Sequence, residues 1–423
     1  MRMPALRASI EPEHEVALLL SGTALSRAAQ TERIKTLADR LDFEALETLL
    51  REQGMLGLIG RRLRDTARLK VPSSFCNHLE DYTLAARRQG LYQQMLTTRL
   101  IAALEEEDIR VLPLKGPLLG ERLYGDIGAR VSADIDLLVS ESDLPRAIAI
   151  VVALGYERRS HASPNTLRHA LHERLVHPSG LPEVEMHWRM HWYETRFSAD
   201  LLARSTRSLD GYLEPSLTDE LTELLLLYAR DGFAGLRLAA DLAAWWDRYG
   251  GEMNPLGLTE TARQYPTLVR SLATAALLAE RLVGVPARDL LPACILSHAS
   301  KMAMRLANWP LRGDIGQINA NISLVDWRLA PPGHRRALMR RYLLLTDEDL
   351  RSRWPGAGSN SLSLLWLRVG LRIAHALGVL GHYTTTCLVL TTHRVWAPVP
   401  RCLDLTSVDA CSAPTDAAKA TKS

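Results

Sequence analysis

Asp134 and Asp136 stand two apart in Ala133-Asp-Ile-Asp-Leu-Leu-Val139, an otherwise apolar run. The run reads as a strand, whose two-residue period puts both carboxylates on one face and Ile135 and Leu137 on the other. Two like charges that close repel unless a cation lies between them. Water at an exposed strand end would also screen them, and the pair would then be a plain solvent-facing edge. Leu137-Leu138-Val139 argues instead for a strand entering a core. A divalent ion answers the repulsion directly, because hard cations such as Mg²⁺ take carboxylate oxygens together with substrate phosphates.

Three further features bear on that pair. Lys115-Gly116 ends a short apolar run and opens a short helix, where backbone N–H groups favour phosphate and glycine admits it closely; Lys115 adds a point charge, or is a solvated turn lysine. Val184-Glu185-Met186-His187-Trp188 is a second alternating strand, with Glu185 and His187 on one face. A third carboxylate on a neighbouring strand is what a two-ion site needs to hold its ions roughly 4 Å apart for in-line phosphoryl displacement. A one-residue slip would turn Glu185 away. His187 either orients a ligand or substrate or is a hydrogen-bonded structural histidine. Arg130, four residues before Asp134, is placed to neutralise charge on a triphosphate, or forms a surface ion pair.

The elements that must position these residues are legible in outline. Ile109 to Leu114 predicts a strand, Pro117 to Leu123 a short helix entered by a proline, and Ala133 to Val139 the next strand. Ser142 or Asp143 caps a helix running to Leu154 and stopped by Gly155. Glu173 to Val176 and Val184 to Trp188 flank Pro178-Ser179-Gly180, a turn signal between two strands. That order gives a small mixed sheet with helices, spanning 109–200. Helical patterns surround it. Residues 1–108 form an N-terminal helical region, with Asp42 capping Phe43 to Gln53, Gly54 stopping it, and one or two long helices from Ser73 to Glu107. Residues 216–400 form a C-terminal helical region including Asp219 to Arg230 and Arg237 to Arg248. The tail, 406–423, is expected to be disordered. The fold class is α+β.

The bulk numbers exclude several functions. In 423 residues, 47% are hydrophobic and 23% charged, as in an ordinary globular chain. A net charge of +3 gives no global case for a nucleic-acid partner. Arg61-Arg62-Leu-Arg64 and Arg335-Arg336 with Arg340-Arg341 read as solvated helix faces. The five cysteines are scattered without CxxC spacing, which fits neither a zinc site nor a disulfide framework and suits a reducing compartment. Residues 1–13 show no secretory signal. Leu362 to Leu390 is the most apolar stretch, but Arg368, Arg372, His375, Gly378 and Gly381 interrupt it, whereas a span needs roughly 20 nearly uninterrupted apolar residues. A cytoplasmic protein without a membrane span is expected.

Taken in order, Leu112-Pro-Leu-Lys115-Gly116, Tyr124-Gly125, Arg130, Asp134-Ile-Asp136, Gly155-Tyr156 and Glu185-Met-His187-Trp188 resemble a bacterial nucleotidyltransferase family. It is the mostly uncharacterised Lys-Gly…Asp-x-Asp branch of the DNA polymerase β-like superfamily. The resemblance covers roughly residues 90 to 250. It implies that Asp134, Asp136 and Glu185 bind Mg²⁺ or Mn²⁺ in a two-ion site, and that Lys115, Gly116, Arg130 and His187 serve the nucleotide. Gly116 takes the place of the superfamily's glycine, but Lys115 precedes it and Pro117 follows, so the widespread Gly-Ser pair is absent. Arg237-Leu-Ala-Ala-Asp241 matches a segment of the helical module that follows the catalytic core. Asp241 there is either an i,i+4 partner of Arg237 or a base turned towards the acceptor. The implied activity is transfer of a nucleoside monophosphate from a nucleoside triphosphate such as ATP to an acceptor hydroxyl or phosphate, releasing pyrophosphate; a small molecule, peptide or protein can each supply the acceptor group. The alternatives are a non-catalytic nucleotide- or partner-binding regulatory protein on the same fold, or a metal-dependent phosphohydrolase.

Overall fold

The computed structural model describes residues 11–158, 171–194, 196–254, 256–306, 322, 324–343, 369–370, 372–378 and 380–381. Five strands form its main sheet: β1 (Leu112–Leu114), β2 (Asp134–Leu138), β3 (Glu157–Arg158), β4 (His172–Val176) and β5 (Glu183–His187). Their order is β1-β2-β5-β4-β3. β2 and β5 run parallel, and the other neighbours are antiparallel. The sheet is mixed and small, with helices on both sides of it in sequence, so the α+β class holds.

Strand alternation divides two environments. Ile135 and Leu137 of β2, Val184 and Met186 of β5 and Leu175 of β4 enter one core. That core is closed by Leu96, Leu100 and Leu104 of the Ser73–Glu105 helix and by Ala147, Ile148 and Val151 of the Leu144–Ala153 helix. The opposite face of β2 and β5 carries Asp136, Glu185 and His187. Burying the apolar face fixes register, since a one-residue slip would drive the carboxylates into the core.

The Ser73–Glu105 stretch is a single helix of 33 residues, about 50 Å long. Phe75 and Leu79 at its start belong to a second, larger core, so one rigid element ties both cores together. Its lone glycine has a packing reason, because a Cβ on Gly90 would meet the Ile127 carbonyl oxygen at 2.8 Å. The larger core gathers Pro12–Ser21, Leu217–Arg230, Arg237–Tyr249 and Val269–Val283. Residues 219–229 are buried without a break, so the Leu217–Arg230 helix runs through the interior.

Local signals behave as their chemistry dictates, with some corrections. The Asp42 side chain accepts from the Glu44 and Ala45 amides and starts Phe43–Glu52. Ser216 caps Leu217–Arg230 through the Asp219 amide. β1 is shorter than the sequence predicts, covering only Leu112–Leu114. The turn before Leu144–Ala153 is built by Ser140, whose Oγ accepts the Asp143 amide at 3.0 Å, rather than by a side-chain cap from Ser142 or Asp143. The edge strand β3 was not anticipated. Arg61 and Arg62 also depart from the solvated-face reading. Arg61 is half-buried and paired with Asp126, and Arg62 donates to the Leu20 carbonyl at 2.7 Å.

Among the described residues no helix is long and apolar enough to cross a membrane. Most of Leu362–Leu390 and all of the 406–423 tail lie outside the described residues.

Candidate active site

The parallel pairing of β2 and β5 sets Asp136 directly against Glu185, and the antiparallel pairing with β1 sets it against Leu114. Glu185 therefore points to the same side as the aspartates. Asp134, Asp136 and Glu185 each offer an oxygen, and these oxygens lie within 4.8 Å of one another. Three hard oxygen donors at that spacing suit a small divalent cation. A second donor group shares Glu185: His172, Glu185 and His187 also bring ligand atoms within 4.8 Å.

Hydrogen bonds hold each carboxylate in place. Asp136, with 1% of its side chain exposed, has Lys115 Nζ 3.2 Å and His187 Nε2 2.9 Å from the same oxygen, Oδ1. Burial pushes its pKa up, but the Lys115 charge and the His187 hydrogen bond outweigh it and hold Asp136 well below the usual carboxylate range. It is thus a committed anion. Asp134 Oδ1 accepts from Ser132 Oγ at 2.7 Å, and its carbonyl accepts from Gln93 Nε2 at 2.7 Å. Glu185 lies 3.4 Å from His187 Nε2 and 3.6 Å from both His172 Nε2 and Arg174 Nε. Burial again opposes ionisation, and the His187 hydrogen bond is the largest of the contacts that still lower its pKa. His172 is pushed down to about 4 by burial and by neighbouring His187, so its imidazole is neutral at ordinary pH.

Lys115 occupies strained backbone, with φ +46°, and Gly116 follows at φ +66°. A left-handed conformation is uncommon for lysine, and such outliers cluster where function needs them. Here the turn brings the ammonium back over β2 and opens the Gly116–Tyr124 helix. A Cβ placed on Gly116 would find no atom within 4 Å, so a ligand has room beside the first amides of the helix.

Arg130 and Asp241, expected on opposite sides of the reaction, are brought together as a pair. Arg130 Nε donates to Asp241 Oδ2 at 2.8 Å, and Tyr124 Oη donates to Oδ1 at 2.8 Å. Arg130 is 3% exposed and Asp241 0%. Arg237 does not take Asp241 as an i,i+4 partner; its Nη1 donates to the Val131 carbonyl at 2.9 Å. Both contacts fasten the Arg237–Tyr249 helix to the loop leading into β2.

Sequence reasoning missed Arg230, His172 and Ser132. Arg230 is half-buried at the end of the Leu217–Arg230 helix, its Nε bonded to Asp231 at 3.2 Å. Its Nη1 has no hydrogen-bond partner among the described residues. Burial lowers its pKa, but Asp231 and then Asp136 outweigh that and raise it, so a second permanent cation sits near the carboxylates. No local pattern marks it, because it ends a leucine-rich helix far along the chain. Ser132 and His172 carried a usable signal, since each stands at even spacing from a carboxylate of its own or the adjacent strand.

A family model described as an uncharacterised nucleotidyltransferase matches residues 39–284. The match takes in the whole sheet, the Ser73–Glu105 helix and the helices through Val283. No curated protein matches the chain.

Proposed function

The chain belongs to the uncharacterised nucleotidyltransferase family, and from that premise we propose that it moves a nucleoside monophosphate from a nucleoside triphosphate to an acceptor hydroxyl or phosphate. The observation that carries this reading is the register that sets Glu185 against Asp136, with Asp134 completing the oxygen set. Mg²⁺ or Mn²⁺, held by Asp134, Asp136 and Glu185, would supply charge neutralisation for the triphosphate and acidify the acceptor oxygen. The chain's own residues do the rest by positioning and electrostatics.

The acceptor oxygen, a hydroxyl having given its proton to water, attacks the α-phosphorus, the bond to the bridging oxygen breaks, and pyrophosphate leaves with that electron pair. Lys115 Nζ and the Gly116–Tyr124 helix start face the departing phosphates, and Arg230 Nη1 adds a donor that no described residue uses. His187 Nε2 and Ser132 Oγ fix the Asp136 and Asp134 oxygens. Arg130 and Asp241 act as a positioning pair, since both are buried and bonded to each other.

Pyrophosphate release, measured with Mg²⁺ and each triphosphate over an acceptor panel, tests the reading, with labelled product identified by mass spectrometry. Asp136→Asn is expected to abolish release while circular dichroism stays unchanged. Undiminished release by that variant sinks the assignment of the metal-binding carboxylates. Nucleotide binding without release over the whole panel replaces transfer with a regulatory role.

A further inference from the structure

A cavity of about 340 Å³ adjoins the carboxylate site, with Lys115 in its wall. Lys115 therefore faces two ways, since its ammonium also lies 3.2 Å from Asp136. Leu118 and Leu119 of the Gly116–Tyr124 helix and Leu213 of the Leu213–Glu214 strand give the cavity an apolar side. The other side belongs to Glu220 and Glu223 of the Leu217–Arg230 helix. The volume is that of a small-molecule site.

Glu223 is the group that needs explaining. It is 5% exposed, lines this cavity, and forms no hydrogen bond or ion pair among the described residues. Its neighbours are already committed. Arg122 pairs with Glu220 and lies 4.0 Å from Glu214, Trp245 Nε1 donates to Glu220 at 3.0 Å, and Lys115 serves Asp136. Burial, and then the Glu220 charge, push the Glu223 carboxyl up to about 8. A buried carboxyl without a partner costs stability and persists where something outside the chain completes it.

We propose that this cavity is the acceptor subsite and that the acceptor carries a protonated amine that pairs with Glu223, an assignment that rests on reading the adjoining carboxylates as a nucleotidyl-transfer site. Five carboxyls line the cavity, those of Glu121, Asp210, Glu214, Glu220 and Glu223, against the cations Lys115, Arg122 and Arg248. Arg122 is paired with Glu220 and Lys115 with Asp136, which leaves Glu121, Asp210 and Glu214 against Arg248, so the wall repels a triphosphate and attracts a cation. An ammonium beside Glu223 draws that carboxyl into its ionised form and supplies the missing partner. The same molecule's nucleophilic group then reaches past Lys115 towards the carboxylate site, which is the side where transfer occurs.

The test is direct binding to the full chain, with cyclohexylamine as the probe and cyclohexanol as its neutral isostere, measured by calorimetry at neutral pH. The amine is expected to bind about tenfold more tightly or better, the ratio equivalent to about 1.4 kcal/mol. Glu223→Gln keeps the shape, removes the charge, and is expected to bring the two probes to parity. ATP with Mg²⁺ is expected not to displace the amine. Parity in the unaltered chain, no detectable amine binding, a preference that survives in Glu223→Gln, or displacement by ATP each overturns the inference. Pyrophosphate release is followed separately. Release without amine preference retires this inference alone, whereas amine preference without release under any triphosphate retires the transfer reading and leaves a cation site.

Discussion

Replacing Glu223 by glutamine gives a prediction whose size follows from the structure. The carboxyl is buried with no partner among the described residues, and its pKa rises from an ordinary 4.5 to about 8, chiefly through burial and then through Glu220. A carboxyl whose folded pKa lies above its unfolded pKa binds more protons in the folded state, so stability falls as pH rises between the two values. The loss begins near 4.5, where the unfolded chain ionises, and levels off above about 8, where the folded chain does too. Integrated across that window, the stability of the unaltered chain relative to Glu223→Gln should drop by about 4 kcal/mol between about pH 5 and about pH 9. Glutamine carries no titration, so the difference reports this carboxyl together with its coupling to Glu220. Urea unfolding followed by circular dichroism at a series of pH values measures it. The glutamine variant should be the more stable protein under alkaline conditions. Stability curves that run parallel across the whole range would refute the reasoning, because they would mean that Glu223 titrates alike in the folded and unfolded chain.

Two other outcomes are expected. Arg130→Met strands Asp241 in the interior and should cost about 3 to 5 kcal/mol in urea unfolding, while Arg130→Met combined with Asp241→Leu should recover much of the loss; a double-variant cost equal to the sum of the Arg130→Met and Asp241→Leu costs would show that the pair is not coupled. Glu185→Gln should weaken Mn²⁺ binding by more than about tenfold in calorimetry while sparing the fold, since even groups outside the direct ligands are worth that much; unchanged affinity would remove Glu185 from the ion site.

Much of this arrangement was legible because it is local. Alternation in Asp134-Ile-Asp136-Leu and Val184-Glu185-Met186-His187 fixes which side chains share a face, and the apolar partners then enforce register through Leu96, Leu100 and Val151. Asp42 and Ser216 cap their helices through side-chain oxygens, an interaction reaching no further than three residues. What stayed hidden depends on long-range packing. The Arg130–Asp241 pair joins residues 111 apart, and nothing near Asp241 distinguishes that pairing from the i,i+4 bond its spacing to Arg237 suggests. Arg230 and Glu223 sit on a helix buried almost all round, where a leucine-rich pattern says only that the helix is interior. Their charges acquire meaning once the Gly116–Tyr124 helix and β2 are packed beside them.

That packing places two carboxyls of opposite character on either side of one ammonium. Asp136 is buried, yet Lys115 and His187 keep it ionised; Glu223 is buried too, but lies beside Glu220 and keeps its proton to about pH 8. The difference lies in the partners and not in the depth of burial, which is the general way in which one site holds an anion and an acid together. Lys115 lowers the pKa of both carboxyls, but its ammonium lies 3.2 Å from Asp136 and forms no ion pair with Glu223. The strained backbone at Lys115 has a physical use on this view. With φ at +46°, the turn carries the ammonium back over β2, within 3.2 Å of Asp136, and the same residue lines the cavity.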